Sequence, residues 1–274
     1  MSGKLIYLTK EKEKEKEKEK EQVPNNVNEL ANLHNKYCFV ILRTISHESE
    51  KDKWKRCQKS VRYFYPKLPI YIVDDNSLLE DPVPVEMENT FHYKPLTVMN
   101  SGPIAAYQYF LKEKWADSMI LLSDSMFMKR PFFEKELSCL ETHGWKFFWE
   151  ETITVDTKKM GTIIRVLSQA ESLLSRVSSE MTGTYGMFGI VKHSVLHEID
   201  EKYSILSMWS FLIRQPEDKK NAAIMILHLL KEHGWKYTSS FFGRIEDYYG
   251  FPTLDFMSQI KNSEKYPFPI MTTF

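Results

Sequence analysis

Met119-Ile-Leu-Leu-Ser-Asp-Ser-Met-Phe127 is an apolar run that ends in an acid, and its reading decides the fold. About fifty residues earlier, Ile70-Tyr-Ile-Val-Asp-Asp-Asn-Ser77 has the same form. Short apolar runs bounded by turn residues read as buried strands, so each delivers carboxylates at its carboxyl end. Ligands of open α/β sheets sit in the crevice beyond those ends. Asp74, Asp75 and Asp124 are therefore expected to converge on one cleft suited to a nucleotide or a metal ion. Taken singly, the motifs have plainer readings: Asp74-Asp75-Asn76-Ser77 is turn chemistry, and Ser123-Asp124-Ser125 caps the next segment. Their pairing, with a helical segment between them, favours the ligand site.

The neighbouring segments extend the strand–helix alternation. Tyr37-Cys-Phe-Val-Ile-Leu42 is a compact run suited to a central strand and ends in Arg43 and Thr44. A helix is expected from Glu48 to Tyr65, with Trp54, Cys57, Val61 and Phe64 at three-to-four-residue spacing and Pro66 and Pro69 ending it. Phe91-His-Tyr-Lys94 fits a short strand, and Asn100-Ser-Gly-Pro103 opens a further helix, with Pro103 in the first turn, where its missing N–H costs nothing. Phe132 to Thr142 reads as a helix stopped at Gly144, and Trp145-Lys-Phe-Phe-Trp149 as an aromatic strand. Long helices are expected over 161–177 and 217–232, with Tyr185-Gly-Met-Phe-Gly-Ile-Val191 passing through glycines into a strand. Glycines 183, 186 and 189 lack the G-x-G opening of a dinucleotide loop and follow a helix, so that use is rejected. His-Gly-Trp-Lys occurs at 143–146 and 233–236 as shared helix-stop punctuation, too far apart for a solenoid repeat.

Composition narrows the function classes. The chain has 274 residues, 42% hydrophobic and 14% aromatic, enough for one large domain with an appendage. Lys plus Arg and Asp plus Glu both number 37, so there is no global basic field to draw it onto nucleic acid. Three widely spaced cysteines, with no C-x-x-C pair, indicate neither a disulfide framework nor a zinc site. No apolar stretch approaches the roughly 20 residues of a membrane span, so a cytoplasmic protein with at most peripheral membrane contact is expected. From Lys10 to Glu21 lysine and glutamate alternate, which places like charges at i and i+4 and disfavours an isolated helix. Residues 1–35 are accordingly read as a flexible appendage, and 36–274 as one folded domain.

The order of Ile-Val-Asp-Asp-Asn-Ser, then Asn100-Ser-Gly-Pro-Ile-Ala-Ala, then Leu-Leu-Ser-Asp-Ser resembles the nucleotide-sugar half of a GT-A fold glycosyltransferase, similar to the family 2 type. That resemblance implies an α/β fold: a Rossmann-like open mixed sheet flanked by helices, with 36–131 as the nucleotide-sugar half and 132–274 as the acceptor half. It implies that Asp74 and Asp75 hold the base and ribose, with Arg43 and Thr44 near the nucleotide and Gly102 and Ser123 in the same binding set. Asp124 stands for the last acid of the Asp-x-Asp motif that binds Mn or Mg and the diphosphate. This chain departs from the motif: Leu122 replaces the first acid and leaves Ser-Asp-Ser, and one carboxylate binds a divalent ion more weakly.

In the second half, Glu217-Asp218 at the start of an apolar helix resembles the family's Glu-Asp helix. In an inverting transfer a carboxylate takes the acceptor hydroxyl's proton. Asp218 is the candidate base and Asp247 the reserve, although an acid in a first helical turn also favours the macrodipole whatever the protein does. Trp149 or Trp209 could stack on a sugar, against the commoner use of aromatics as core. The implied activity moves a sugar from a nucleoside diphosphate donor, uridine-linked, to a glycan, protein or lipid hydroxyl. Two rivals stand beside it. A nucleotidyltransferase would want a second metal-binding acid and a glycine-rich basic loop; a catalytically inactive nucleotide-sugar-binding module would not need the missing acid. No G-x-S-x-G elbow supports a serine hydrolase.

Overall fold

All seven residues of Tyr37–Arg43 are buried, and this strand, β1, lies inside the sheet with apolar side chains on both faces. The computed structural model describes residues 36–84, 87–94, 102–167, 169–205, 216–233, 240–244 and 270–272. The Lys/Glu run, Trp209, residues 234–237 and Asp247 lie outside them. β1 pairs in parallel with β2 (Ile70–Asp74) on one side and with β4 (Ser118–Ser123) on the other. β3 (Thr90–Tyr93) continues the parallel set beyond β2.

Four further short strands follow β4: β5 (Met126–Met128), β6 (Trp145–Phe147), β7 (Glu150–Thr154) and β8 (Glu180–Thr184). β9 (Gly189–Lys192) runs antiparallel to both β4 and β6, so the six-stranded sheet has the order β3-β2-β1-β4-β9-β6. β7 and β8 form a separate antiparallel ribbon, and β5 pairs with β10 (Ile270–Thr272). The helices are α1 (Lys51–Phe64), α2 (Pro103–Glu113), α3 (Glu134–His143), α4 (Thr157–Val166), α5 (His193–Tyr203) and α6 (Pro216–Glu232). The result is the expected α/β class, an open, mixed, mainly parallel sheet flanked by helices.

The topology sets where a ligand can bind. From β1 the chain moves outward to β2 and β3, then crosses back to β4 on the other side of β1. The reversal falls between β1 and β4, whose carboxyl ends form the crevice where open sheets take their ligands. Because the β1–β2 and β3–β4 crossovers run in opposite directions with the same right-handedness, α1 and α2 cover opposite faces.

Local chemistry explains the helices. α1 buries Trp54, Cys57 and Val61 on one stripe and stops at Tyr65, whose φ of −129° and ψ of 71° leave the helical region just before Pro66. Its start is held by Glu50, whose carboxylate accepts the Ser46 and His47 N–H groups at 2.8 and 3.2 Å. α3 stops where Gly144 takes a φ of 68°.

Several expectations are corrected. The single helix over 161–177 is instead α4 followed by a 3-10 segment, Glu171–Arg176. Asp156 starts α4 earlier than expected by accepting the Lys158 and Lys159 N–H groups, and Leu167 turns into extended backbone to end it. The break returns Leu174 to Gly161, so apolar spacing that looked like one helix serves a fold-back. The aromatic strand ends at Phe147, and Glu150 starts the β7–β8 ribbon. At Gly189 a Cβ would lie 2.5 Å from the Lys146 carbonyl oxygen, so this glycine permits close pairing of β9 with β6. Among the described residues no helix is long and apolar enough to cross a membrane.

Candidate functional site

Arg43 and Asp74 are direct partners in the β1–β2 register, so their side chains leave the sheet on the same face. Arg43 is only 1% exposed. Its Nε donates to Asp74 Oδ2 at 2.8 Å, its Nη1 to the Asp81 carbonyl at 2.6 Å, and its Nη2 approaches His92 Nε2 at 3.0 Å. The guanidinium lies 5.0 Å from the Trp54 ring centroid, and Trp54 Nε1 donates to Asp81 Oδ2 at 2.7 Å. Asp74 Oδ1 accepts the Ser77 N–H at 2.8 Å. Burial alone would raise the Asp74 carboxyl, but the His92 ring, the Ser77 amide and the Arg43 guanidinium outweigh it and hold it well below the usual carboxylate range. The Arg43–Asp74 pair is thus the internal brace of the β1 and β2 ends, with its polar groups turned inward.

Asp75 follows Asp74 in an extended chain and so points to the opposite face. It is 2% exposed, and its Oδ2 accepts the Gly102 N–H at 2.9 Å. Gly102 precedes α2 with a φ of 61° and a ψ of −144°, a conformation reserved for glycine. The same oxygen lies 3.6 Å from Lys219 Nζ, supplied by the first turn of α6. The lysine stem crosses Gly102 closely: a Cβ there would stand 3.2 Å from Lys219 Cδ. One residue before it, Asp218 is 6% exposed and its Oδ1 sits 2.6 Å from Lys159 Nζ, in the first turn of α4. The α6 start is therefore tied to β2 and α2 by one ion pair and to α4 by another.

The β1–β4 crevice holds the third group. Thr44 N–H donates to Asp124 Oδ2 at 3.3 Å, and Ser123 Oγ donates to Asp124 Oδ1 at 3.2 Å. The Ser123 and Ser125 hydroxyls are 3.0 Å apart. Burial raises the Asp124 carboxyl above its ordinary value despite these bonds. Burial pushes up the Cys57 thiol, and the charge of Asp124 acts in the same direction.

Geometry thus separates the three acids. Asp74 faces the Arg43 brace, Asp75 faces Gly102 and Lys219, and Asp124 lies across β1 from Asp74. Two strand spacings put those last two backbones about 10 Å apart. A divalent ion requires several oxygens within about 2.6 Å of one point. Among the described residues no group of three or more His, Cys, Asp or Glu side chains is placed to hold a metal. Asp124 is thus a single carboxylate whose two oxygens already accept hydrogen bonds, a weaker donor set for Mn or Mg than a paired-acid motif.

Other expected residues fall as follows. Thr44 and Ser123 meet at Asp124, and Gly102 meets Asp75. Trp149 is 4% exposed and packs edge-on to Tyr185 and against Phe242, which makes it core and not an open stacking platform. Lys159, Lys219, Asp81 and His92 were not singled out from the sequence. A lysine directly after the Glu217-Asp218 pair was the one visible signal; His92 and Asp81 carry none, because long-range hydrogen bonding brings them to Arg43.

The sequence matches no protein-family model and no curated protein. Among solved structures, the chain is similar to the S. aureus TarS 1–349 structure at 12% identity and a TM-score of 0.40, covering 69% of this chain and 55% of that one. The same protein in complex with UDP gives 12% identity and a TM-score of 0.40, over 68% of this chain and 54% of that one. A longer TarS structure gives 11% identity and a TM-score of 0.34, over 65% of this chain and 33% of that one. The chain thus spans about half the length of the shorter TarS structures and a third of the longer one.

Proposed function

We propose that the chain is a glycosyltransferase that moves a sugar from a nucleoside diphosphate donor, uridine-linked, to an acceptor hydroxyl on a glycan, protein or lipid. One observation carries this reading. A buried, hydrogen-bonded acid pair ends β2 beside the topological reversal, and the second acid is joined to a glycine-opened helix. Carboxylates there suit the N–H and O–H donors of a base and ribose, and the Arg43 brace keeps Asp74 ionised and fixed. Thr44, Ser123 and Asp124 line the adjoining crevice.

In the transfer the acceptor oxygen attacks the anomeric carbon as the bond to the diphosphate oxygen breaks. The acceptor proton passes to a carboxylate. Asp218 is the described candidate, and Asp247 the other. A second reading, a nucleotide-sugar-binding module without transfer activity, is favoured by the burial of Asp218 and its pairing with Lys159. Release of nucleoside diphosphate from the donor separates the two readings.

The test of the site itself is a thermal-shift panel of uridine, guanosine, cytidine and thymidine diphosphates on wild type and Asp75→Asn. A ligand at 100 times its Kd stabilises by about 2.7 kcal/mol, which for a chain of this size is a shift of about 5 °C. One nucleotide should give that shift in wild type and a smaller one in Asp75→Asn. No shift with any of the four refutes the donor site.

A further inference from the structure

We propose that Lys219, with Lys159, supplies the positive charge that faces the donor's diphosphate, so that donor binding needs no divalent ion. The proposal rests on the donor-site reading above and names how that site meets the donor's charge. A diphosphate brought beside buried carboxylates must have its charge compensated, and Asp124, with Leu122 in place of a second acid, offers a divalent ion only one strand-end carboxylate there. The two lysines stand where that charge is needed. Lys219 reaches from the first turn of α6 across Gly102 to Asp75, so its ammonium lies at the proposed nucleotide-holding acid. Lys159 reaches Asp218, the neighbour of Lys219 in the chain.

Each lysine is paired with a buried acid while its own side chain stays part-exposed. The Lys219 and Lys159 side chains are 30% and 41% exposed, whereas those of Asp75 and Asp218 are 3% and 6% exposed. An ammonium has three donors, so it can serve its carboxylate and a phosphate oxygen together. Each lysine also lies in a first helical turn, where backbone N–H groups add partial positive charge. Gly102 fits the same purpose, because a side chain there would crowd the Lys219 stem out of its path. Asp75 thereby sets the position of the cation as well as that of the nucleotide.

The test is calorimetric titration of the full chain with UDP and with uridine, in EDTA and in Mn. The expected result is UDP binding in EDTA at least about tenfold tighter than uridine, the scale of one charge-assisted hydrogen bond. Lys219→Met and Lys159→Met should each weaken UDP at least about tenfold more than they weaken uridine, and Lys219→Arg should keep UDP within about threefold. The uridine titration reports whether each variant retains its folded pocket. The wild-type comparison in EDTA depends on no variant: UDP that binds no tighter than uridine there, or binds only when Mn is added, overturns the proposal while leaving the donor site standing. UDP binding unaffected by Lys219→Met also overturns it. Failure of both UDP and uridine to bind under either condition removes the donor site and the proposal with it.

Discussion

Replacing Gly102 with alanine should weaken the fold and the site together. Gly102 holds a φ of 61° and a ψ of −144°, where any other residue is strained by about 1–3 kcal/mol. The added Cβ would meet Lys219 Cδ at 3.2 Å, Cε at 3.4 Å and Nζ at 3.5 Å. A flexible side chain can yield, but yielding carries the ammonium away from Asp75, whose carboxylate is buried. Loss of part of that interaction adds about 1 kcal/mol. The expected destabilisation is about 2–4 kcal/mol, a fall in Tm of roughly 4–12 °C. Gly161 supplies an internal control. It lies within α4 at an ordinary φ, and a Cβ there would make only contacts of 3.7 Å with Arg165 and 3.9 Å with Leu174. Gly161→Ala should therefore stabilise by about 0.5–1 kcal/mol. Urea unfolding followed by tryptophan fluorescence and by circular dichroism measures both variants. Gly102→Ala within about 0.5 kcal/mol of wild type, the scatter of an ordinary surface change, would refute the reasoning.

Three other perturbations have expected outcomes. Arg43→Met leaves Asp74 buried without its main cation and should cost about 3–5 kcal/mol in urea unfolding, because breaking a buried pair strands the remaining charge; a loss under about 1 kcal/mol, the worth of a surface pair, contradicts the brace. Since Asp74 is depressed in the folded state, its contribution is complete above the ordinary carboxylate pKa of about 4 and declines as pH falls toward the folded value. Stability measured from pH 5 down to 2 should therefore fall less steeply in Asp74→Asn than in wild type, and equal slopes would exclude Asp74 as a source of acid sensitivity. Asp124 has the opposite sign: burial raises it, so ionisation penalises the fold as pH rises through the carboxylate range. Asp124→Asn should melt higher than wild type at pH 7 and level with it below about pH 4; a lower melting temperature at pH 7 refutes that account.

The parallel strands were legible because burial on both faces writes itself as continuous apolar runs, as in Tyr37–Leu42 and Met119–Leu122. The carboxyl-end acids were legible for the same reason, since a strand's end fixes where its next residue emerges. Elements without that signature were not. β7 and β8 are a ribbon with mixed exposure, and the helix expected over 161–177 is broken at Leu167 by a fold-back whose two limbs share one apolar spacing. His193–Tyr203 was not placed as an element, yet it forms α5 and buries Val195, Leu196, Ile199 and Tyr203.

What the sequence by itself determined, then, is the α/β class, the order of the strands that carry Asp74, Asp75 and Asp124, and the glycine–proline opening of α2. These depend on local periodicity and on chain connectivity. Tertiary structure alone decided how the acids are used. Adjacent residues of a strand face opposite sides, so Asp74 joined the Arg43 brace and Asp75 joined Gly102 and Lys219 instead of sharing one ion. Lys219 reaches Asp75 only because the first turn of α6 packs at Gly102, and Lys159 reaches Asp218 only because the first turn of α4 meets that of α6. Contacts between residues this far apart in the chain depend on packing, which no local pattern encodes.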